Sequence, residues 1–180
     1  MYELLSGSRK EKTLYQFKCG SDGCNPFGGL VFDNVGNLYG TTRNGGVADQ
    51  GTVFKLTHTL QGKWKESVVY RFKGGRDGRQ PFSTLIFDQA GNLYGTTYWG
   101  GDPSCNPPVG CGTVFKLMPR SGGRWKERVL YTLKGGSDGW GPLYGGLALD
   151  AAGNLYGTAA LGGNTGCGNL GCGVVFEITP

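Results

Sequence analysis

The sequence predicts an all-β fold of the β-propeller type, in which three repeats of about 60 residues each form a four-stranded antiparallel blade. Three observations support this fold class. Glycine supplies 36 of the 180 residues without a Gly-X-Y period, which excludes collagen. Hydrophobic residues make up 38% and aromatic residues 12% of the chain, which is too much for a disordered protein. Short aromatic and β-branched runs recur between glycine-rich turns, whereas no long amphipathic helical pattern is found.

The repeat is clearest in two motifs. GTVFKL occurs at 51–56 and 112–117 and, as GVVFEI, at 173–178, in steps of 61 residues. GNLYGTT occurs at 36–42 and 91–97 and, as GNLYGTA, at 153–159. Because self-similarity at a fixed period is typical of repeat architectures, these motifs are expected to serve the structure.

Each repeat is predicted to contain four strands, A to D. In the first repeat, strand A is GGLVFD at 28–33, and a tight turn leads to strand B in NLYGTT at 37–42. A variable loop leads to strand C, TVFKL at 52–56, and a polar hairpin tip leads to strand D, SVVYRFK at 67–73. The counterparts of strand A are STLIFD at 83–88 and GGLALD at 145–150, and the second strand D is RVLYTLK at 128–134.

The two ends of the chain are out of phase with the repeat. The N-terminal YELLSGSRKEKTLYQFK aligns with strands C and D, so that Tyr2 falls where Phe54 falls, and GVVFEITP at the other end stops after strand C. A propeller commonly closes its ring by such a split blade, yet three blades are fewer than the four to eight that propellers have. We predict a single domain over 1–180, made of strands C and D of a split blade (1–18), blade 1 (19–73), blade 2 (74–134) and blade 3 without its last strand (135–180).

The open ends predict completion between chains. Two copies could form a six-bladed ring, copies could link head to tail by donating their N-terminal strands, or the chain is an excerpt of a longer array. An unpaired strand edge is a template for association, which disfavours a lone monomer. The residues expected at the assembly contacts are Tyr2, Leu4, Leu14, Tyr15, Phe17, Val175, Phe176 and Ile178.

The six cysteines fall in close pairs within Gly/Pro/Asn loops. The pairs are Cys19 with Cys24, Cys105 with Cys111, and Cys167 with Cys172. Such local pairs predict three loop-closing disulfides and an oxidising compartment. Zinc binding is the alternative, but the spacings are not C-x-x-C and the chain has one histidine.

Two sets of aspartates are candidate ligands or turn residues. Asp33, Asp88 and Asp150 each stand three residues before the glycine of GNLYG, and we interpret them as turn residues that accept backbone N–H groups. Asp22, Asp77 and Asp138 stand in the loops between strands D and A. Each of these loops supplies one carboxylate, whereas Ca²⁺ takes six to eight oxygens, so we prefer Asp-Gly turns and predict no cofactor.

The D–A and B–C loops are expected at one end of the sheets, together with all six cysteines. Four aromatic residues fall in these loops: Tyr98, Trp99, Trp140 and Tyr144. Flat apolar rings beside Asn, Asp and Gly are what a sugar-binding surface needs, and filling gaps between loops is the alternative role. Trp64 and Trp125, in the C–D hairpins, are expected to cap the core or to contact a neighbouring unit.

No catalytic constellation is identifiable. His58 is the only histidine, and it lies where strand C enters a hairpin tip, so a surface position is expected. The net charge of +5 comes largely from Lys and Arg in the hairpin segments, mixed with Glu11, Glu66 and Glu127. This pattern predicts solvated hairpin edges rather than a nucleic-acid-binding stripe. The sequence contains no apolar run of about 20 residues, so no membrane span is predicted.

The combination of GGSDG-x-x-P, a strand ending in Asp, GNLYGTT, GTVFKL and a W-K-E hairpin resembles the GloVer-type tandem repeat, the choice-of-anchor repeat proteins of bacteria. The resemblance covers essentially the whole chain. It implies an extracellular or surface protein with a propeller-like array, and it brings no catalytic residues. We therefore expect a secreted structural repeat protein that self-assembles into a surface or filament structure. A carbohydrate-binding module is the alternative, and the lack of unique polar residues disfavours a hydrolase or lyase on a propeller scaffold.

Overall fold

The computed structural model describes the backbone of residues 2–4 and residues 11–143 and 145–179. Within these ranges the chain forms antiparallel strands joined by turns and short 3-10 segments, which confirms the all-β class. The 3-10 segments are Gly75–Asp77, Ser121–Gly123, Gly136–Asp138 and Thr165–Leu170.

The strands form an N-terminal pair and three larger antiparallel sheets. The N-terminal pair is β1 (Tyr2–Leu4) and β2 (Glu11–Thr13). Sheet 1 has the order β3 (Val31–Phe32), β4 (Leu38–Thr42), β5 (Thr52–His58), β6 (Trp64–Arg71). Sheet 2 consists of β7 (Arg79–Pro81), β8 (Ile86–Phe87), β9 (Leu93–Trp99), β10 (Thr113–Pro119) and β11 (Trp125–Thr132). Sheet 3 has the order β12 (Ala148–Leu149), β13 (Leu155–Ala159), β14 (Val174–Ile178).

The predicted strands are present, with altered lengths. Each strand A is reduced to two residues, because β3, β8 and β12 pair with strand B only beside its first two residues. Strand D begins at the tryptophan of the hairpin, because the tip is tight and Thr59 N donates to Lys63 O over 2.7 Å. The sequence missed β7, which pairs with the end of β9 through Arg79↔Trp99 and Pro81↔Thr97.

The glycine inside NLYGTT lies opposite the phenylalanine of strand C in every sheet. The pairs are Gly40↔Phe54, Gly95↔Phe115 and Gly157↔Phe176. A Cβ atom added to Gly95 would stand 2.7 Å from Phe115 Cζ and 2.8 Å from Leu85 Cδ2. The phenyl ring thus covers the backbone of strand B, and a residue with a side chain would displace it.

Units 1, 2 and 3 are the repeats over 19–73, 74–134 and 135–180, which contain sheets 1, 2 and 3, and the sheets pack on one another in chain order. Between sheets 1 and 2, the buried residues are Tyr39, Val53, Phe72, Leu85, Leu93, Phe115 and Leu117. Between sheets 2 and 3, they are Tyr94, Val114, Leu147, Leu155 and Ile178. The leucine of each NLYGTT copy therefore faces the preceding unit and the tyrosine faces the following one, as alternation along a strand requires. The described architecture is a series of stacked antiparallel sheets, and closure into a propeller stays a prediction.

Candidate functional site

A backbone hydrogen bond joins the D–A loop to the B–C loop in each unit, which shows that the two loops lie at the same end of the sheet. In the second unit, Gly101 N donates to Gly75 O over 2.8 Å. The equivalent bonds are Gly46 N to Gly20 O (3.0 Å) and Gly163 N to Gly136 O (2.7 Å). This end of the molecule is called the loop face below.

The three predicted disulfides are formed and all lie on the loop face. They join Cys19 to Cys24, Cys105 to Cys111, and Cys167 to Cys172, and no cysteine in the described ranges is free. Cys105 and Cys111 are buried and pack against Leu133 and Ala159. The second disulfide is thus part of the core between units 2 and 3, besides closing its own loop.

The aspartate of each D–A loop is hydrogen-bonded to the end of strand D. The Asp77 carboxylate accepts from the Tyr70 hydroxyl and, over 2.6 Å, from Lys73 N. Asp22 accepts from Tyr15 OH and Lys18 N, and Asp138 accepts from Tyr131 OH and Lys134 N. Burial, together with the hydrogen bond to Asp22, raises the pKa of Tyr15 to about 12.

The aspartate before GNLYG organises the A–B turn. Asp88 Oδ1 accepts from Ala90 N (2.9 Å) and Asn92 N (2.8 Å), while Oδ2 accepts from Asn92 Nδ2 (2.7 Å) and Tyr94 OH (2.9 Å). Burial by itself would raise the pKa of Asp88, but the hydrogen bonds from Asn92 outweigh it and hold the pKa below its ordinary value. Asp33 and Asp150 make the same four contacts. The residues that the three copies share, in the pattern D-x-x-G-N-x-Y, thus form the same hydrogen-bonded turn in each copy.

The carboxylates of the units belong to separate turns. Over the part of the chain that the structure describes, no group of three or more His, Cys, Asp or Glu side chains could hold a metal ion. His58 lies at the end of β5, with its ring centre 5.1 Å from that of Trp64. Trp125 packs on the core between sheets 1 and 2, with its ring 6.1 Å from that of Tyr39.

A row of aromatic rings crosses the loop face through all three units. The Trp99 and Trp140 rings are stacked at 5.8 Å with an interplanar angle of 29°, and Tyr98 lies 4.1 Å from Trp99. Phe82 continues the row at 5.6 Å from Tyr98, and Phe27, which is 51% exposed, lies 5.4 Å beyond it. We call these five residues the aromatic row. The sequence predicted Tyr98, Trp99 and Trp140 for this surface but missed the two phenylalanines.

Tyr144, the fourth aromatic residue predicted for this surface, lies outside the described residues. Tyr98, Trp99 and Trp140 are each half-buried, so one part of each ring packs on the loops and another part faces solvent. This arrangement combines gap filling with exposure, which were the two alternatives that the sequence left open.

Arg79, a polar side chain with one unpaired donor atom, stands beside the aromatic row. Arg79 is the register partner of Trp99, and its Nη2 donates to Val109 O over a long 3.4 Å. Arg79 Nε and the neighbouring Gln80 Oε1 are buried and make no hydrogen bond within the described structure. A cleft of about 140 Å³, which Pro103 and Val109 help to line, opens next to Arg79. Arg79 therefore brings a guanidinium with one unsatisfied donor next to Trp99.

Two glutamates that the sequence placed on solvated hairpin edges are partly buried, and that expectation is wrong for them. Glu66 and Glu127 alternate with exposed neighbours along strand D and so point to the packed face of their sheets. Burial, with a further contribution from the charge of Asp77, raises the pKa of Glu127 to about 7. Lys73 opposes this shift. Burial and the charge of Asp22 raise the pKa of Glu66 in the same way. Within the described structure, the Oε1 atoms of Glu66 and Glu127 have no hydrogen-bond partner. Glu11, at the equivalent position of β2, is exposed.

The N-terminal segment packs on sheet 1 as strand D of a unit packs on the next sheet. The Phe17 and Phe54 rings are 5.0 Å apart at 68°, and their equivalents Phe72 and Phe115 are 5.1 Å apart at 68°. Leu14, Tyr15 and Phe17 all lie against the buried Leu38, Phe54 and Leu56. These three predicted assembly residues are therefore engaged within the chain, while the side chains of Tyr2 and Leu4 lie outside the described structure.

No described residue covers the outer face of sheet 3 at Val175. Val175 is 80% exposed, whereas its equivalents Val53 and Val114 are both 0% exposed beneath the following sheet. Tyr156 on the same face donates to Asp150 and to Glu177. Phe176 and Ile178, which were also predicted at the assembly contacts, point the other way and pack toward sheet 2.

The comparisons with known proteins agree with the repeat pattern. The family model of the Gloeobacter/Verrucomicrobia repeat matches residues 1–180. A search of curated proteins found no match. Across the described ranges, no helix has the length and apolarity that crossing a membrane requires.

Proposed function

The chain belongs to the Gloeobacter/Verrucomicrobia repeat family over its whole length, and from this premise we propose that it is an extracellular structural repeat protein whose copies assemble head to tail. The proposal includes no catalytic role. Three disulfides on one face fit a protein of an oxidising compartment. The sheets would act as blades, and the array would continue from sheet 3 of one copy to sheet 1 of the next.

The observation that carries the proposal is the difference between the inner and outer sheet faces. The face that is covered at Val53 and Val114 is open at Val175, although the three sheets share one strand pattern. The N-terminal segment meanwhile supplies the strand D side chains that cover the opposite face of sheet 1. The N-terminal segment thus supplies strand D side chains, and the described residues of sheet 3 include no strand D. Such a heterologous contact gives a ring if the rotation closes and a filament if it does not.

Sedimentation velocity over a concentration series tests the assembly. The wild-type chain should form dimers and larger species as its concentration rises. Val175→Lys should weaken this association at least about tenfold, because a charge would be buried against the next copy. Val47→Lys is the matched control, because Val47 is 87% exposed but lies in a loop, and it should associate as the wild type does. A wild-type chain that stays monomeric up to about 0.5 mM would refute the proposal.

Glycan binding on the loop face is a second candidate function, which the aromatic row favours. Stacked, half-exposed rings offer the apolar platform that a pyranose face packs on. Arg79, the register partner of Trp99, lines a cleft on this face, and its guanidinium could donate to sugar hydroxyl groups. Binding at the loop face and assembly through the sheet faces use different residues, so the two functions are compatible.

Tryptophan fluorescence tests the second candidate. Titration with cellohexaose and chitohexaose should give saturable quenching if either sugar binds across the stacked Trp99 and Trp140 rings. Trp140→Ala should abolish the quenching, whereas Trp64→Phe removes a tryptophan far from the row and should leave it intact. Equal loss in the two variants, or no quenching with any sugar of a wider panel, would argue against glycan binding.

A further inference from the structure

The free edge of sheet 3 is an unpaired strand C. In sheets 1 and 2, strand C (β5 or β10) pairs with strand B on one side and with strand D on the other. In sheet 3, the corresponding strand β14 pairs with β13, and the described residues supply no strand for its other side. Such an edge presents a row of backbone donors and acceptors to another chain.

The N-terminal strand β1 has the same sequence pattern and pairing as a strand C. Its register, Tyr2↔Thr13 and Leu4↔Glu11, reproduces Phe54↔Val68 and Leu56↔Glu66 of sheet 1. Its sequence Tyr-Glu-Leu corresponds to Phe-Glu-Ile at 176–178 of β14. The strands β1 and β14 are thus equivalent candidates for the same place beside β2.

Charge favours β14 at that place over the inner strands. The central residue is glutamate in β14 (Glu177) but lysine in β5 and β10. The position opposite it is Lys12 in β2, whereas it is Ser67 in β6 and Arg128 in β11. Opposite charges directly across an antiparallel pair stabilise it, and like charges destabilise it. The end strands therefore carry a complementary pair that the inner strands do not.

We propose that β14 of one copy pairs with β2 of a second copy in the register Phe176↔Thr13, Glu177↔Lys12 and Ile178↔Glu11, and replaces the second copy's own β1. This strand exchange rests on the proposed head-to-tail assembly and specifies its contact. Because Phe17 of the second copy is already seated on sheet 1 of that copy, the exchange brings its sheet 1 over the exposed Val175.

The exchange also completes a repeated carboxyl pair. At the two described contacts of this kind, the strand D glutamate lies near the D–A aspartate of its own unit, as Glu127 does near Asp77 and Glu66 near Asp22. Asp138 is the third D–A aspartate, and Glu11 is the exposed strand D glutamate of β2. In the exchanged pair, Glu11 of the second copy takes the position beside Asp138 that Glu127 holds beside Asp77.

Charge reversal tests the register, with association measured by sedimentation velocity. Glu177→Lys should raise the dissociation constant roughly threefold to tenfold, because the introduced lysine would face Lys12 across the strand pair. The double variant Glu177→Lys/Lys12→Glu should restore association, and so should a mixture of the two single variants. The register is refuted if only one of the two, the double variant or the mixture, regains association. It is also refuted if neither single reversal changes the dissociation constant.

Two deletions test the exchange of strands. Removal of residues 1–5 should strengthen association, because β2 no longer has β1 as an internal competitor. Removal of residues 1–18 should abolish association, because β2 itself is lost. If deletion of 1–5 weakens association, the strand exchange is wrong. If Val175→Lys disrupts association while Glu177→Lys does not, the assembly stands and only this register fails, whereas a monomeric wild type refutes both.

Discussion

Replacement of Asp88 by alanine is expected to lower the free energy of unfolding by about 3 kcal/mol. The Asp88 carboxylate accepts four hydrogen bonds, two from backbone N–H groups and two from the side chains of Asn92 and Tyr94. Because the turn around Asp88 fixes the start of β9, loss of the carboxylate should also loosen the packing between sheets 2 and 3.

The magnitude follows from which donors stay buried. A hydrogen bond to a charged group contributes about 1.5 to 3 kcal/mol. The amide of the exposed Ala90 can bond to water instead, so it contributes little. Tyr94 is only 4% exposed, and Asn92 is half-buried, so these two donors account for most of the loss. If only the two side-chain bonds, from Asn92 Nδ2 and Tyr94 OH, are counted at the low end of the range, the loss is about 3 kcal/mol, or about 6 to 12 °C in Tm for a chain of this size.

Urea denaturation at neutral pH measures the effect, and Asp102→Ala is the matched control. Among the described residues, the Asp102 carboxylate accepts from Ser104 N and Oγ alone, in an exposed loop, so this variant should unfold at the same urea concentration as the wild type. Asp88→Asn keeps an acceptor for the two backbone donors and should lose about half as much as Asp88→Ala. The difference between wild type and Asp88→Ala should shrink as the pH falls through the lowered pKa of Asp88, since the protonated carboxyl is a poorer acceptor. A loss below about 1 kcal/mol would refute the structural role of this turn.

Three further outcomes are expected. Gly95→Ala should destabilise the fold by about 1 to 3 kcal/mol in urea denaturation, because the new Cβ atom would overlap Phe115, whereas Gly166→Ala meets no atom within 4 Å and should be neutral. Glu127→Gln should raise the Tm at pH 8 but not at pH 5, because the raised pKa means that the wild-type fold loses stability as the pH rises from about 4.5 through about 7; an equal effect at both pH values would contradict this. Reduction should add about 6 Da to the intact mass and remove about 2 kcal/mol of stability per disulfide, and an unchanged mass would contradict the three bridges.

The candidate site could be predicted from the sequence only in part. Trp99 and Trp140 were placed on one face because strand order alone decides at which end a loop emerges. Phe82 and Phe27 were missed because they follow the prolines of the D–A loops, and nothing local shows that they continue the row. Glu127 was placed in solvent because charge predicts exposure, whereas strand alternation and the neighbouring sheet bury it.

The sequence by itself determined the repeat, the strand order, the Asp-Gly-Asn turns and the disulfide pairs. These features depend on residues that are close together in the chain, or on motifs that recur along it at a regular spacing. Only the tertiary structure decided which sheet faces are covered, because burial depends on what packs against a surface and not on the surface itself. Val53, Val114 and Val175 have the same place in the repeat, yet a following sheet buries the first two and leaves the third exposed.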